Sequence, residues 1–270
     1  MKELAGKHGR QVTSPDHFTG RFNEHLADTI LLFVDEGFWA GDKKAEGQLK
    51  GLITEKSLTF EGKCKPIIEG PNQLHVVMAS NEDWVVPATH DERRFAVFEA
   101  DEVAAKSFQH FAALNDDDSP ERELMLRAML YDLLHMELGN FHPRREVPQT
   151  QALIDQKLEG FKKVPLDGWW FECLENGSIS TLNDDVVKWP DAWEAAPREK
   201  DELLFSLHNH NREAALISKT KLAKYLGQVG VDMGDKVRNS QNQKVWRVPC
   251  LEVARQDFEA KIGGKIEWSD

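Results

Sequence analysis

The stretch Thr29-Ile30-Leu31-Leu32-Phe33-Val34-Asp35-Glu36 decides how the chain is read. Five consecutive large apolar residues, three of them β-favouring, run straight into two carboxylates. That predicts a strand buried on both faces whose carboxyl edge carries a charged pair. In open α/β sheets, ligands bind at that edge. An Asp there can orient the water shell of Mg²⁺ on a nucleotide phosphate, and the Glu beside it can activate the attacking water. The alternative is a core strand followed by a solvated acidic turn, and this stretch alone leaves both open.

About forty residues on, Leu74-His75-Val76-Val77-Met78-Ala79-Ser80-Asn81 repeats the pattern with a neutral polar end. An Asn at the tip of a neighbouring strand can hydrogen-bond a γ-phosphate or the attacking water without adding charge beside Asp35 and Glu36. Asp91-Glu92-Arg93-Arg94-Phe95 follows. Arg suits bidentate stabilisation of phosphoryl charge, and ring-shaped ATPases supply it across a subunit boundary. Taken singly, Ser-Asn is an ordinary turn and Asp-Glu-Arg-Arg a solvated, salt-bridged face; it is their order and spacing that points to phosphoryl transfer.

The 270 residues suffice for one large domain or two modest ones, and no apolar run approaches the ~20 residues of a membrane span. Met1-Lys2-Glu3-Leu4 opens no apolar signal region. Cys64, Cys173 and Cys250 are odd in number and far apart, which argues for a reducing cytoplasm and against structural zinc. His208, His210, His135 and His142 lack partners at metal-ligand spacing. The net charge of −12 opposes a protein coated in nucleic acid, so any DNA contact requires a local basic element.

Such an element lies in Leu58-Thr59-Phe60-Glu61-Gly62-Lys63-Cys64-Lys65-Pro66-Ile67-Ile68, where alternating apolar residues flank a Gly-containing basic tip and predict a hairpin. Lysines also blunt sheet edges, so a solvated turn is the competing reading. Elsewhere, Thr13-Ser14-Pro15 predicts a turn, with a helix over 22–28, and Gly37-Phe38-Trp39-Ala40-Gly41 an aromatic loop. Helices are expected over 42–53, 124–138 and 149–161, and a strand at Phe95-Ala96-Val97-Phe98 that closes the sheet. Trp169-Trp170-Phe171 is expected to anchor a core rather than stack bases. Beyond a 190–197 linker, helices over 198–210, 219–228 (capped by Ser218) and 251–262 surround a hairpin of 236–238 with 245–248, a winged-helix-like pattern that suits DNA or protein surfaces equally.

Asp35-Glu36, residues 50–66, Ser80-Asn81 and Arg93-Arg94 resemble, in that order, the Walker B, B-prime, sensor and arginine-finger motifs of superfamily 3 helicases. More closely, Leu32-Phe33-Val34-Asp35-Glu36-Gly37-Phe38-Trp39-Ala40-Gly41-Asp42-Lys43-Lys44 and Met78-Ala79-Ser80-Asn81-Glu82-Asp83-Trp84 resemble the helicase domain of phage and prophage primase-helicases, the primase-polymerase class included. The resemblance covers about residues 8–100 strongly and the remainder loosely. It implies an α/β fold with an incomplete P-loop NTPase (AAA+-like) sheet, followed by a mostly helical, winged-helix-like carboxyl-terminal domain. The implied boundaries are an ATPase core over 1–105, a helical region over 106–165 and the last domain over 166–270. It implies ATP and Mg²⁺ as cofactors, with Asp35 holding Mg²⁺ through water, Glu36 as base, Asn81 as γ-phosphate sensor and Arg93 or Arg94 as finger. It further implies single-stranded DNA on Lys63 and Lys65, a homo-oligomeric ring of hexameric type, no membrane, and the cytoplasm of a bacterial host.

One departure weighs against these agreements. The family's phosphate-cradling loop, Gly-x-x-x-x-Gly-Lys-Ser/Thr, occurs nowhere in the 270 residues, and Gly6-Lys7 lacks both the earlier Gly and the Ser/Thr. The resemblance therefore implies part of a helicase, coupling ATP hydrolysis to translocation on single-stranded DNA when whole. The alternative is a non-catalytic remnant or binding module.

Overall fold

The computed structural model describes residues 2–36, 43–89, 92–101, 108–116, 118–143, 145–180, 186–189, 197–198, 200–232 and 246–269. The aromatic loop at 37–41, the linker at 190–196 and the 236–245 part of the expected hairpin lie outside them. The fold is α/β, with helices and small sheets in two compact units: Met1–Pro87 with Arg93–Ala152, and Ala88–Glu92 with Leu153–Asp270.

The first unit is built on a parallel sheet in the order β1 (Gly9–Val12), β2 (Leu31–Asp35), β5 (His75–Ala79). The register pairs Val12 with Val34 and Val34 with Met78, while Asp35 faces Ala79. Laterally paired residues of a parallel sheet point to the same side. Leu32 and Val34 are therefore sealed on one face, whereas Leu31 and Phe33 on the other are half-exposed. The expectation of a strand buried on both faces is corrected to burial on one. A 3₁₀ segment, Lys2–His8, packs against β1 and β2, and Arg10 ties the sheet to the loop before β2 through Thr29 and Asp28.

Before β2 the chain makes a short helix α1 (Asp16–Thr19) and a 3₁₀ turn (Glu24–Leu26) in place of the helix expected over 22–28. Pro15 sets the start of α1, and Phe18 is buried beneath it. Helix α2 (Lys43–Thr54) follows β2 and packs by α1, with Ala45, Leu49 and Leu52 inward at helical spacing. Strands β3 (Ser57–Phe60) and β4 (Ile68–Pro71) then form the expected antiparallel hairpin, Phe60 opposite Ile68.

The base of that hairpin is clamped by the segment preceding β2. Asn23 donates to the Thr59 carbonyl (2.9 Å) and accepts from the Glu61 amide (2.8 Å). Arg21 pairs with Glu61 at 2.8 Å, and Lys65 reaches both oxygens of Glu24 at 2.7 and 2.9 Å. Gly62 is buried against this pair, and a Cβ there would fall 2.4 Å from the Glu24 carboxylate, so a larger residue would have to displace it.

Residues 95–98 form no strand; Phe95 is buried while Phe98 is 70% exposed. A run of four apolar residues does not by itself decide between strand and packed loop. Helices α3 (Phe108–Asn115) and α4 (Pro120–Leu134) follow. The expected 124–138 helix is displaced to a start at Pro120 and buries no residue. From Leu124 to Leu134 its apolar side chains lie on all sides, so it has no single stripe to lay against a core. Arg122 holds its first turn to the Leu114 carbonyl and to Glu3.

The second unit is organised by helices α5 (Gln151–Lys162), α6 (Pro165–Glu175), α7 (Lys200–His210), α8 (Lys219–Gln228) and α9 (Leu251–Ile262). Two small antiparallel ladders accompany them, β6 (Ser178–Ser180) with β7 (Val186–Lys188) and β8 (Pro197–Arg198) with β9 (Trp246–Arg247). Trp246 and Arg247 thus pair with 197–198, and Arg247 also bridges Asp232. Trp169 and Trp170 are almost fully buried, and Trp170 packs edge-on to Trp189. Their polar edges are satisfied: Trp169 Nε1 donates to Ser206 Oγ and Trp189 Nε1 to the Pro249 carbonyl. The three adjacent aromatics serve the core, with Phe171 against Phe258 and Trp268. Burial pushes the Cys173 thiol up, with Glu172 adding to it, which keeps this cysteine an inert packing group.

Two stability measurements check this picture. Trp170→Ala removes a side chain 1% exposed at the centre of the second core and should cost about 3–5 kcal/mol in denaturant unfolding; a loss below about 1 kcal/mol contradicts the assigned core. Asn23→Ala should speed hydrogen exchange at the Glu61 amide at least tenfold while leaving Val77 in β5 unchanged, because only the hairpin base loses its acceptor. Equal protection in both proteins would show that the clamp does not hold the hairpin.

Candidate functional site

The parallel register carries the chain's candidate residues to one end of the sheet. Asp35 is the last residue of β2 and is half-buried; Glu36, the next residue, is exposed. The Glu36 amide donates to the Ala79 carbonyl (2.9 Å), which prolongs the ladder by one bond and sets Asn81 alongside. Asn81 Nδ2 donates to Glu36 Oε1 at 2.8 Å. On the other flank Gln11, near the tip of β1, donates through Nε2 to Asp35 Oδ2 at 3.1 Å. All three strands thus contribute to two side-chain pairs at this end of the sheet, Gln11–Asp35 and Glu36–Asn81.

Glu36 adopts φ +51°, in the left-handed region. A non-glycine residue there costs about 1–3 kcal/mol and persists only where its surroundings hold it. Here the ladder bond at its amide and the Asn81 bond at its carboxylate do so. Ser80 accepts from the Glu82 amide at 3.1 Å, closing the turn that presents Asn81.

The donor set fits a hydrated divalent cation better than a directly ligated one. Asp35 and Glu36 supply carboxylate oxygens, and Gln11 and Asn81 are amides that orient them. Among the described residues no cluster of three or more His, Cys, Asp or Glu is placed to hold a metal. A cation that keeps most of its own water, as Mg²⁺ does, needs only such a pair.

The remaining candidates lie elsewhere. Lys63 and Lys65 sit on the β3–β4 loop, both exposed, with Cys64 between them at φ +59°. Lys65 is engaged by Glu24, and Lys63 stands at the tip. Arg93 and Arg94 are exposed, immediately after the Ala88–Glu92 segment that belongs with the second unit. Asp35, Glu36 and Asn81 are therefore brought together, while the lysines and arginines are not joined to them by any described bond.

Sequence reasoning missed Gln11 and the clamp residues Arg21, Asn23 and Glu24. Gln11 lies in a short strand with a single long apolar residue, Val12, and its link to Asp35 exists only through the β1–β2 register. A local signal was present for Asn23, since an Asn after Phe22 and before a 3₁₀ turn suits backbone hydrogen bonding, but its partners are 36 and 38 residues away.

Comparison with known proteins bears on residues 1–94, which match the model of a family of unknown function, DUF5906. No curated protein matches the chain. In fold, the chain is similar to the apo structure of the NrS-1 C-terminal region (305–718), with a TM-score of 0.54 and 14% identity. That likeness covers 91% of this chain and 61% of the other, so the chain spans about three-fifths of that structure's length.

Proposed function

We propose that the chain is the carboxyl-terminal part of a phage-type DNA replication helicase-primase of superfamily 3, and that its strand tips form half of an ATP-hydrolysing site. The observation that carries this reading is the convergence of Asp35, Glu36 and Asn81 at one sheet edge, with Asn81 bonded to Glu36, Gln11 bonded to Asp35 and Glu36 in a strained backbone state. The resemblance of the same residues to the Walker B and sensor motifs supports it.

In this reading Asp35, oriented by Gln11, would hold the Mg²⁺ of MgATP through water, and bound Mg²⁺ would supply neutralisation of the phosphate charge. Glu36 takes a proton from water as its oxygen bonds to the γ-phosphorus and the bond to the β–γ bridging oxygen breaks, giving ADP and phosphate. Asn81 contacts the γ-phosphate or the attacking water. Arg93 or Arg94 reaches a neighbouring subunit's site in a hexameric ring, and the hairpin presents Lys63, with Lys65 behind it, to single-stranded DNA. The phosphate-binding loop comes from polypeptide outside these 270 residues.

A second reading is favoured by one observation, that no Gly-x-x-x-x-Gly-Lys-Ser/Thr occurs in the sequence. On that reading the chain is a non-catalytic module that binds DNA or protein. ATPase assays of this chain and of a form extended by a strand and phosphate loop, each with and without single-stranded DNA, separate the two. Activity confined to the extended form supports the helicase reading; silence in both favours the binding module.

In the active form Glu36→Gln should lower turnover by at least a hundredfold with folding intact, in line with loss of a general base, and wild-type turnover would refute the assignment. Glu36→Gly should also lose turnover yet gain about 0.5–1 kcal/mol in stability, because glycine relieves the left-handed backbone.

A further inference from the structure

Helix α8 is the basic counterpoint of an acidic chain. Between Glu213 and Asp232 the sequence contains no Asp or Glu, although 46 of the 270 residues are acidic. Within that window α8 carries Lys219, Lys221 and Lys224, all exposed. Its inward face is Leu222, Tyr225 and Leu226. Helical spacing then sets Thr220, Lys224 and Gly227 along the outward face, flanked by Lys221 and Gln228 on one side and Lys219 on the other. Every one of these six is exposed. Arg212, just before the window, and Arg247, bridged to Asp232, are exposed as well.

The helix is held rigidly from behind. Ser218 caps it, accepting from the Lys221 amide at 3.3 Å. The turn that joins it to α7 is fixed by His208, whose Nε2 meets the Ile217 carbonyl at 2.9 Å, and by Asn211, which accepts from the Ala214 amide at 2.8 Å. Tyr225 donates to Asp167 (2.9 Å), and Lys261 bonds the same oxygen at 2.7 Å. Burial, with Asp167 adding to it, pushes the Tyr225 hydroxyl up, so it stays a donor in that network.

We propose that this outward face of α8 docks on the phosphate backbone and major groove of duplex DNA. Ten residues make a rod of about 15 Å, which an open major groove accepts. Small Thr220 and Gly227 permit close approach, the lysines meet phosphates, and Gln228 offers an amide to base edges. Helix α8 offers no aromatic side chain on which unpaired bases could stack, since its Tyr225 is buried. The proposal uses no part of the ATPase reading.

The test is fluorescence anisotropy of the whole chain with a labelled duplex of about 20 base pairs and a single strand of equal length, across a salt series. The triple variant Lys219→Ala, Lys221→Ala, Lys224→Ala should bind duplex at least tenfold more weakly, and its log–log salt slope should fall by about 2.7. Its melting temperature should hold, since all three side chains are exposed on a helix that alanine favours. Thr220→Glu should abolish duplex binding by placing a carboxylate on the face. The proposal is overturned if the wild-type chain binds no duplex at low salt, which leaves the face to an acidic protein surface. It is equally overturned if the triple variant keeps the wild-type slope, or if single strand is bound more tightly than duplex through these lysines.

Discussion

Parallel pairing of β2 with its two neighbours is the constraint on which the candidate site depends. Asp35 lies opposite Ala79, so the residues that follow each strand, Glu36 on one and Ser80-Asn81 on the other, emerge side by side. Slipping β2 by one residue against β1 and β5 would turn Asp35 to the opposite face, away from Gln11, and move Leu32 and Val34 out of the buried layer. Leu31 and Phe33 would take their places there, so apolar burial alone does not select the register. The polar bonds at the tips, at about 1 kcal/mol each, help to select it, because a slip breaks Gln11 to Asp35 and the Glu36 amide to the Ala79 carbonyl. Bonds beyond the strands reinforce the register, from Ile30 N to the His8 carbonyl and from His75 N to the Ile30 carbonyl.

The two basic elements of this acidic protein differ in what surrounds them. On the hairpin, Lys65 is paired with Glu24, and Arg21 with Glu61, so much of the local charge is matched within the protein. Such exposed pairs add little stability, about 0–1 kcal/mol, but they do fix the direction of the loop and leave Lys63 foremost. On α8 the three lysines fall in a stretch of sequence, between Glu213 and Asp232, that contains no Asp or Glu. At physiological salt a charge is felt over about 8 Å, so the net charge of −12 says little about what either surface meets. Local pattern decides it.

Much of the fold was legible because strong one-dimensional signals coincide with it. The apolar runs ending in Asp35 and Ala79 became neighbouring strands, the Gly-containing basic tip became a hairpin, and Ser218 capped the helix it was expected to cap. The misreadings share a cause. Phe95 to Phe98 was read as a strand and 124–138 as a strongly amphipathic helix; the helix forms over Pro120–Leu134, but apolar residues do not specify which surface is available to cover them: Phe95 found one, Phe98 and α4 did not. Trp246 and Arg247 pair with Pro197 and Arg198, a distant partner that the sequence did not signal, while the expected partner at 236–238 lies outside the described residues. Gln11 and Asn23 were invisible for a related reason, since each acts through a partner at least 24 residues away. A polar side chain carries no period by which a distant partner can be found.

Counting donors and acceptors shows what the strand tips retain for a ligand. The Asn81 amide nitrogen carries two protons, and the bond to Glu36 Oε1 uses one. Gln11 engages Oδ2 of Asp35, leaving Oδ1 outside that bond, and Glu36 keeps Oε2 outside its own. The two pairs can thus offer one carboxylate oxygen from each acid and one further amide proton without breaking any bond they already make. Two acceptors beside one donor suit a water molecule that is to lose a proton, or the water shell of a cation, better than they suit a bare anion. An anion such as phosphate would be repelled by two carboxylates unless a cation lay between. Two carboxylates close in sequence at this edge favour a ligand that brings positive charge, which is what the proposed hydrated cation would supply.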